Sequence, residues 1–184
     1  MRKSLLPSAV FAALFAAFSL HGAETSPFAN FAGRYSKHGL VNISDGHGTT
    51  ATGKARQTFH VAASGESARL KITGSIKLGG ATRPFTVTYI FKRRDADGID
   101  VAAISNLAPG LDDGHATDNG AYNLGPRTIL AEAPFVSGTT TGTASLFVRL
   151  KKRPRGTLLF VRQMLSSSAL THPITWTFKA LSQR

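Results

Sequence analysis

A strict alternation of apolar and polar residues constrains the fold of this chain more than any other feature. Between residues 68 and 78, one phase is apolar or small and the other carries charges and hydroxyls. The apolar phase is Ala68, Leu70, Ile72, Gly74, Ile76 and Leu78, and the polar phase is Arg69, Lys71, Thr73, Ser75 and Lys77. Because successive side chains of a strand point to opposite faces, the pattern predicts a strand with one face in a core and one in water.

The same alternation recurs at residues 85–92, 144–151 and 174–180, and helical periodicity is nearly absent after residue 31. Turn dipeptides separate these runs, for example Asp45-Gly46, Gly79-Gly80 and Arg155-Gly156. The sequence therefore predicts an all-β fold over residues 24–184, a single antiparallel up-and-down β-barrel of about 8–10 strands. Residues 106–126 are rich in Gly, Asp, Asn and Pro, which predicts one long loop that partly covers the barrel.

The first 23 residues have the pattern of a signal peptide. Arg2 and Lys3 precede an apolar run over residues 5–20, and Ala23 offers a small residue at the cleavage site. The run is shorter than the roughly 20 residues of a membrane-spanning helix. We therefore expect a mature chain that begins near Glu24, has no transmembrane span, and is exported to the periplasm or secreted by a bacterium.

The charge of the chain is strongly positive, with 22 Lys and Arg against 10 Asp and Glu. Such a field favours anionic partners. In an exported protein these partners would be anionic lipid headgroups, acidic polysaccharide or an acidic protein rather than nucleic acid. The alternative is a basic surface that only keeps the protein soluble. The chain has no cysteine, which excludes disulfides, thiolate metal sites and a cysteine nucleophile.

The densest cluster of positive charge surrounds a predicted hairpin tip between two strands. Its residues are Lys151, Lys152, Arg153 and Arg155, with Arg162 on one arm. Lys92, Arg93 and Arg94 lie at another strand end, and the two clusters together would form an anion-binding rim if both tips lie at one end of the barrel. The alternative is a solvated turn whose like charges protect a sheet edge from aggregation.

Catalytic and metal-binding motifs are not visible in the sequence. The histidines lack the spacing of metal-ligating or metalloprotease motifs, and no Gly-x-Ser-x-Gly elbow or phosphate-binding loop occurs. Asp112, Asp113, His115 and Asp118 form a weak oxygen-and-nitrogen cluster, but such residues are also typical of exposed loops. We therefore predict a protein that is not an enzyme and needs no metal and no cofactor.

The segment Phe31-Ala32-Gly33-Arg34-Tyr35 resembles the Gly-x-Trp opening strand of lipocalins and their calycin relatives, with Tyr in place of Trp. Thr117-Asp118-Asn119 is similar to the Thr-Asp-Tyr motif of that family. The resemblance implies a closed antiparallel barrel that holds a small, often apolar ligand. The aromatic residues Tyr35, Phe85, Tyr89 and Trp176 are then candidates for ligand contact. For Tyr35 and Trp176 the alternative role is an aromatic plug that closes the barrel.

Three functions are consistent with these patterns. The first is a carrier or sensor that binds a small apolar ligand in the barrel. The second is a cell-envelope interaction protein that binds anionic lipid, polysaccharide or protein through its basic rim. The third is a small outer-membrane barrel, which the outward Lys and Arg of the strands disfavour. An open apolar interior would favour the first function, and a filled interior with a continuous Lys/Arg face would favour the second.

Overall fold

The computed structural model describes residues 26–93, 99–105, 115–116, 121–137 and 139–183. These residues form eleven strands and one 3-10 turn, Ala29–Phe31. The strands are β1 (Gly33–Ser44), β2 (Thr49–Val61), β3 (Ser67–Leu78), β4 (Ala81–Arg93), β5 (Ile99–Ser105), β6 (His115–Ala116), β7 (Ala121–Gly125), β8 (Thr128–Ser137), β9 (Thr140–Arg153), β10 (Gly156–Ser166) and β11 (Ile174–Ser182).

All eleven strands belong to one antiparallel sheet in the order β5-β4-β3-β2-β1-β11-β10-β9-β8-β6, with β7 also paired to β8. The first long strand, β1, pairs with both β2 and the last strand, β11. The sheet curls into a half-barrel built mainly from the eight long strands, and β5 contacts β6, β7 and β8 from the other end of the sheet. The predicted fold class, an all-β antiparallel up-and-down barrel-like sheet, is confirmed.

The predicted loop over residues 106–126 is wrong in two parts. His115–Ala116 is the short strand β6, which pairs with Val136 and Phe135 of β8. Ala121–Gly125 is strand β7, which pairs with β8 from Ala121↔Glu132 to Gly125↔Thr128. The alternation of Tyr122 and Leu124 with polar or small neighbours fits this pairing, but a strand of five residues is too short to stand out among Gly, Asp and Asn. Residues 106–114 and 117–120 lie outside the described residues, as do the predicted signal peptide and the side chains of Asp112, Asp113 and Asp118.

The apolar phase of the long strands forms one continuous core. Most members of this phase on β3 and β4 are almost fully buried, and the same holds for most inward residues of β9, β10 and β11. Gly74, Leu78 and Phe85 are half-buried. They include Leu70, Ile72, Ile76, Val87, Phe91, Leu146, Val148, Leu159, Val161 and Phe178. The polar phase, with Lys71, Lys77 and Lys179, is exposed on the outer face. The alternation read from the sequence therefore sets which face of the sheet is the core.

Aromatic side chains before β1 close one end of the half-barrel, which we call the 3-10 end. Phe28 precedes the 3-10 turn, Phe31 is its last residue, and both are fully buried. Their rings stack on Phe91 and Phe59, with centroid distances of 6.2 Å for Phe28–Phe91 and 5.4 Å for Phe31–Phe59. The hydroxyl of Tyr35 donates a 2.8 Å hydrogen bond to the carbonyl of Phe31. The start of β1 is thus fixed to this aromatic plug.

Glycines allow β1, β2 and β3 to approach one another closely. A Cβ atom on Gly39 would lie 1.7 Å from the carbonyl oxygen of Ala55, and one on Gly53 would lie 1.9 Å from that of Ser75. A Cβ atom on Gly74 would lie 2.1 Å from the carbonyl oxygen of Lys54. Glycine is needed where another backbone comes this close. These three glycines lie beside a groove on the outer face of the sheet.

Candidate functional site

A groove of about 1310 Å³ lies on the outer face of the sheet, across β1, β2, β3 and β4. We call it the outer groove. Its lining combines cationic side chains, hydroxyls and apolar surface, together with backbone of the adjoining strands. The cations are Arg34, Lys54 and Arg56, the hydroxyls belong to Ser36, Thr58, Thr73, Ser75 and Thr86, and the apolar side chains are Leu40, Pro84 and Phe85.

Strand register explains why these residues share one surface. Arg34 pairs with Thr58, and Lys54 and Arg56 pair with Ser75 and Thr73. All six residues belong to the polar phase of their strands, opposite the buried phase that contains Ala55 and Phe59. An antiparallel sheet places paired residues side by side on one face. The result is an array in which each cation lies beside a hydroxyl.

An irregular stretch of β1 forms one wall of the outer groove. The pairing with β2 is interrupted between Tyr35 and Leu40, and the pairing with β11 shifts in the same stretch. His38 lies in this bulge with a φ of 51°. Such a left-handed conformation is uncommon for a residue with a Cβ and is enriched at functional sites, as bulges are. The conformation therefore draws attention to the groove independently of its charge.

None of the residues that line the outer groove is acidic. The described acidic side chains lie elsewhere: Asp45 between β1 and β2, Glu66 between β2 and β3, and Glu132 on β8. Clefts lined by charges of one sign concentrate counter-ions and charged ligands. The groove is thus a site with a positive field and many hydrogen-bond donors.

A second basic surface surrounds the 3-10 end, and we call it the basic rim. β1, β8 and β10 begin at this end, and β4 and β9 finish there. The pair Ser67↔Lys92 places the start of β3 beside the end of β4, and the pair Thr128↔Arg149 places the start of β8 beside the last part of β9. The rim consists of Arg34, Lys92, Arg93, Arg127, Lys151, Lys152, Arg153 and Arg155. Arg34 belongs to both the rim and the outer groove, so the two surfaces are continuous.

The rim contains four of the five residues predicted to bind anions. Lys151, Lys152 and Arg153 end β9 and Arg155 lies in the turn before β10, and all four are exposed. The start of β10, next to the turn, is anchored to the end of β11, because the amide of Thr157 donates a 3.0 Å hydrogen bond to the hydroxyl of Ser182. Arg162, the fifth residue, lies on the outer face of β10 between Phe147 and Thr177, away from the tip.

One acidic side chain adjoins the rim. Glu66 lies in the connection between β2 and β3, and its Oε1 is 3.8 Å from a guanidinium nitrogen of Arg93. Glu66 is 60% exposed, so this contact is a solvated pair that contributes little to stability. It partly neutralises the β4 side of the rim. The side of the rim formed by Arg34 and the β9–β10 hairpin has no described carboxylate of this kind.

The four residues predicted to contact an apolar ligand belong to the inward phase, and they lie at different places within or against the one core. Tyr35 is bound to the aromatic plug at the 3-10 end. Trp176 packs against Phe85 and Phe178, with centroid distances of 5.6 Å and 5.8 Å. Tyr89 is fully buried and donates a hydrogen bond to Gln163. Phe85 is half-buried and is the one of the four that also lines the outer groove.

Burial changes the acidity of the two tyrosines. It raises the pKa of Tyr35 to about 12 and also raises the pKa of Tyr89, because the ionised phenolate would lose its hydration. Both side chains therefore stay neutral at physiological pH. Their role in the described structure is that of hydrogen-bond donors within the core.

Polar residues of the core were missed by the sequence analysis. Gln57 and Gln163 are each 1% exposed. The side-chain nitrogen of Gln57 donates a 3.4 Å hydrogen bond to the carbonyl of Leu159 on β10. Each glutamine occupies an apolar phase of its strand, which is the signal that could have found it. The cations of the outer groove were also missed, since each is isolated in sequence and only strand pairing brings them together.

No protein-family model matches the chain, and no curated protein and no solved structure is significantly similar to it. Within the part of the chain that the structure describes, no helix is long and apolar enough to span a membrane. Within the described residues, no group of three or more His, Asp or Glu side chains is placed to hold a metal ion.

Proposed function

We propose that this protein is a non-enzymatic binding protein of the bacterial cell envelope that recognises an acidic polysaccharide through the outer groove and the basic rim. The observation that carries the proposal is the lining of the groove, which places Arg34, Lys54 and Arg56 beside hydroxyl groups and contains no carboxylate. The envelope location rests on the signal-peptide pattern of residues 1–23.

The chemistry of the lining suits an acidic glycan better than a small inorganic anion. Guanidinium groups bind carboxylates with two parallel hydrogen bonds, and the ammonium of Lys54 adds a point charge. Neighbouring hydroxyls can both donate and accept hydrogen bonds to sugar hydroxyls. Leu40, Pro84 and Phe85 supply apolar surface between the polar groups, as in most ligand sites.

The shape of the two surfaces supports a polymer as ligand. The outer groove is extended across four strands, and Arg34 continues it into the rim. The exposed tip of the β9–β10 hairpin adds four cations to the same end of the molecule. A chain with repeated negative charges would contact several of these groups at once and gain from each contact.

The proposal is tested by calorimetric titration with polygalacturonate at low ionic strength. The groove variant is Lys54→Gln/Arg56→Gln, and the matched control is Lys77→Gln/Arg83→Gln, which removes two positive charges from neighbouring strands outside the groove. Hydrogen bonds to charged groups contribute roughly 1.5–3 kcal/mol each, so the groove variant should bind at least about tenfold more weakly. Equal loss in both variants would contradict a specific site and leave only non-specific attraction.

A second candidate function is the binding of a small apolar ligand in the half-barrel. It is favoured by Trp176, whose buried Nε1 has no hydrogen-bond partner among the described residues, because a ligand acceptor would satisfy it. Trp176 is the single tryptophan of the chain. An apolar fluorescent probe in the interior would therefore accept energy from Trp176, and Phe85→Ala would change the affinity. Absence of energy transfer with any apolar probe would leave the outer surfaces as the site.

A further inference from the structure

A second surface on the outer face, separate from the cation-and-hydroxyl array, alternates apolar and cationic side chains. Among the described residues, Leu40 and Leu130 are the exposed large hydrophobic side chains, at 53% and 44% exposure. Leu130 lies at one edge of this surface, which spans β8, β9, β10 and β11, and Leu40 on β1 adjoins its opposite edge at Lys179. We call it the amphipathic patch, and it consists of Leu130, Phe147, Arg149, Phe160, Arg162 and Lys179.

Strand register arranges the patch as a checkerboard. In one row, Leu40, Lys179, Phe160 and Arg149 are successive partners across β1, β11, β10 and β9. In the next row, Thr177, Arg162, Phe147 and Leu130 are partners across β11, β10, β9 and β8. Each phenylalanine therefore has a cation as cross-strand neighbour.

Contacts between these side chains hold the array together. The rings of Phe147 and Phe160 meet edge to face, with centroids 5.9 Å apart and an interplanar angle of 66°. The ammonium of Lys179 lies 5.9 Å from the centroid of the Phe160 ring, within the range of a cation–π interaction. Phe147 and Phe160 remain half-buried on the outer face rather than turning into the core. Water therefore stays in contact with part of an aromatic pair.

We propose that the amphipathic patch docks on the surface of an anionic lipid bilayer. Aromatic and leucine side chains insert into the boundary between headgroups and acyl chains, and neighbouring Lys and Arg attract anionic headgroups. The patch offers both kinds of group in alternation and none of its six members carries a carboxylate. The described acidic residue nearest in register is Glu132, which pairs with Ser145 in the row beyond Leu130 and Phe147. An acidic polysaccharide fits the patch less well than the groove, because the cations of the patch lie mainly beside phenylalanine rather than within an array of hydroxyls that could bind sugar hydroxyls.

The patch and the outer groove are distinct surfaces that meet at Leu40. The groove extends over β1 to β4, and the patch extends over β8 to β11 on the other side of β1. Membrane docking through the patch would thus leave the groove and its cations open to a glycan. The inference goes beyond the proposed function and does not depend on it.

The test is co-sedimentation with vesicles of phosphatidylcholine, with or without phosphatidylglycerol. The charge variant is Arg149→Gln/Arg162→Gln, and the apolar variant is Leu130→Ser/Phe147→Ser. The groove variant Lys54→Gln/Arg56→Gln is the matched control with the same change of charge. All proteins carry the same N-terminus, so that the apolar segment over residues 5–20 contributes equally. The midpoint of thermal unfolding shows whether each variant is folded.

We expect binding to phosphatidylglycerol vesicles that the charge variant weakens about thirtyfold, since each cation near the surface contributes roughly a factor of five. The apolar variant should weaken it at least about tenfold. If Leu130→Ser/Phe147→Ser fails to fold, Leu130→Ser alone, at an exposed position, should still weaken vesicle binding. The groove variant should bind vesicles like wild type and lose only polygalacturonate.

Three results would overturn the inference. The first is that the wild-type protein does not bind phosphatidylglycerol vesicles. The second is that the patch variants and the groove variant lose vesicle binding equally. The third is that the patch variants lose polygalacturonate binding while their vesicle binding is unchanged. The last result would assign the patch to a polysaccharide. Failure of polygalacturonate to bind any protein, with vesicle binding as expected, would contradict the proposed function and leave the patch assignment intact.

Discussion

The hydroxyl of Tyr89 on β4 donates a hydrogen bond to the side-chain oxygen Oε1 of Gln163 on β10. Strands β3, β2, β1 and β11 lie between these two strands in the sheet. The bond therefore crosses the interior of the half-barrel. Both side chains are almost fully buried, so at this level the interior is occupied by the protein itself. Because the interior is occupied at this level, the Tyr89–Gln163 bond supports recognition of a ligand on the outer face of the sheet.

The Tyr89–Gln163 bond should contribute measurably to stability. Tyr89→Phe removes the donor without removing the ring, and we expect the free energy of unfolding in urea to fall by about 1–2 kcal/mol. A double-mutant cycle with Gln163→Leu isolates the pair, since residues in direct contact are coupled. Additive effects of the two substitutions would contradict a direct bond across the interior.

The buried tyrosines should make the fold sensitive to alkaline pH. Burial raises the pKa of Tyr35 from 10.0 to about 12 and that of Tyr89 as well. Above pH 10 the unfolded chain releases phenolic protons that the native chain keeps, so the free energy of unfolding falls as pH rises through this range. Below pH 10 the contribution is constant. Phenolate absorbance should show both groups ionising together with unfolding, and early ionisation in the folded protein would contradict their burial.

The glycines at which β1, β2 and β3 approach one another closely should not tolerate a side chain. Gly39→Ala would place a Cβ atom 1.7 Å from the carbonyl oxygen of Ala55, so the strands would have to separate. We expect a loss of at least about 2 kcal/mol in the free energy of unfolding, as in overpacked cores. Gly125→Ala is the control, because a Cβ atom there would lie 3.8 Å from the carbonyl oxygen of Thr128. Similar losses in both variants would contradict the close approach.

The exposed hairpin should contribute to binding but not to folding. Replacing Lys151, Lys152, Arg153 and Arg155 with Ser should leave the thermal midpoint nearly unchanged, because an exposed tip buries little surface. Affinity for polygalacturonate should fall, and wild-type affinity should decrease with added salt as charges are screened. If the variant binds polygalacturonate as tightly as the wild-type protein, the hairpin is only a solvated turn.

The sequence predicted the fold class well because alternation depends on nearest neighbours in the chain. Residues 68–78 show both phases of β3 without reference to any partner strand. The site was harder to predict, since Lys54 meets Ser75 only through the register of β2 and β3. The Tyr89–Gln163 bond was not predictable, because it depends on the curl of the whole sheet. Arg162 was grouped with the hairpin by proximity in sequence, whereas register places it beside Phe147.

The claim that recognition takes place on the outer face is tested most directly by backbone amide chemical shifts during titration with a galacturonate oligosaccharide. Our account predicts that the largest changes lie at residues 34–40, 54–58, 73–75 and 84–86, which line the outer groove, with smaller changes at the β9–β10 hairpin. Changes concentrated at the inward residues Tyr89, Gln163 and Trp176, with the groove unaffected, would contradict it.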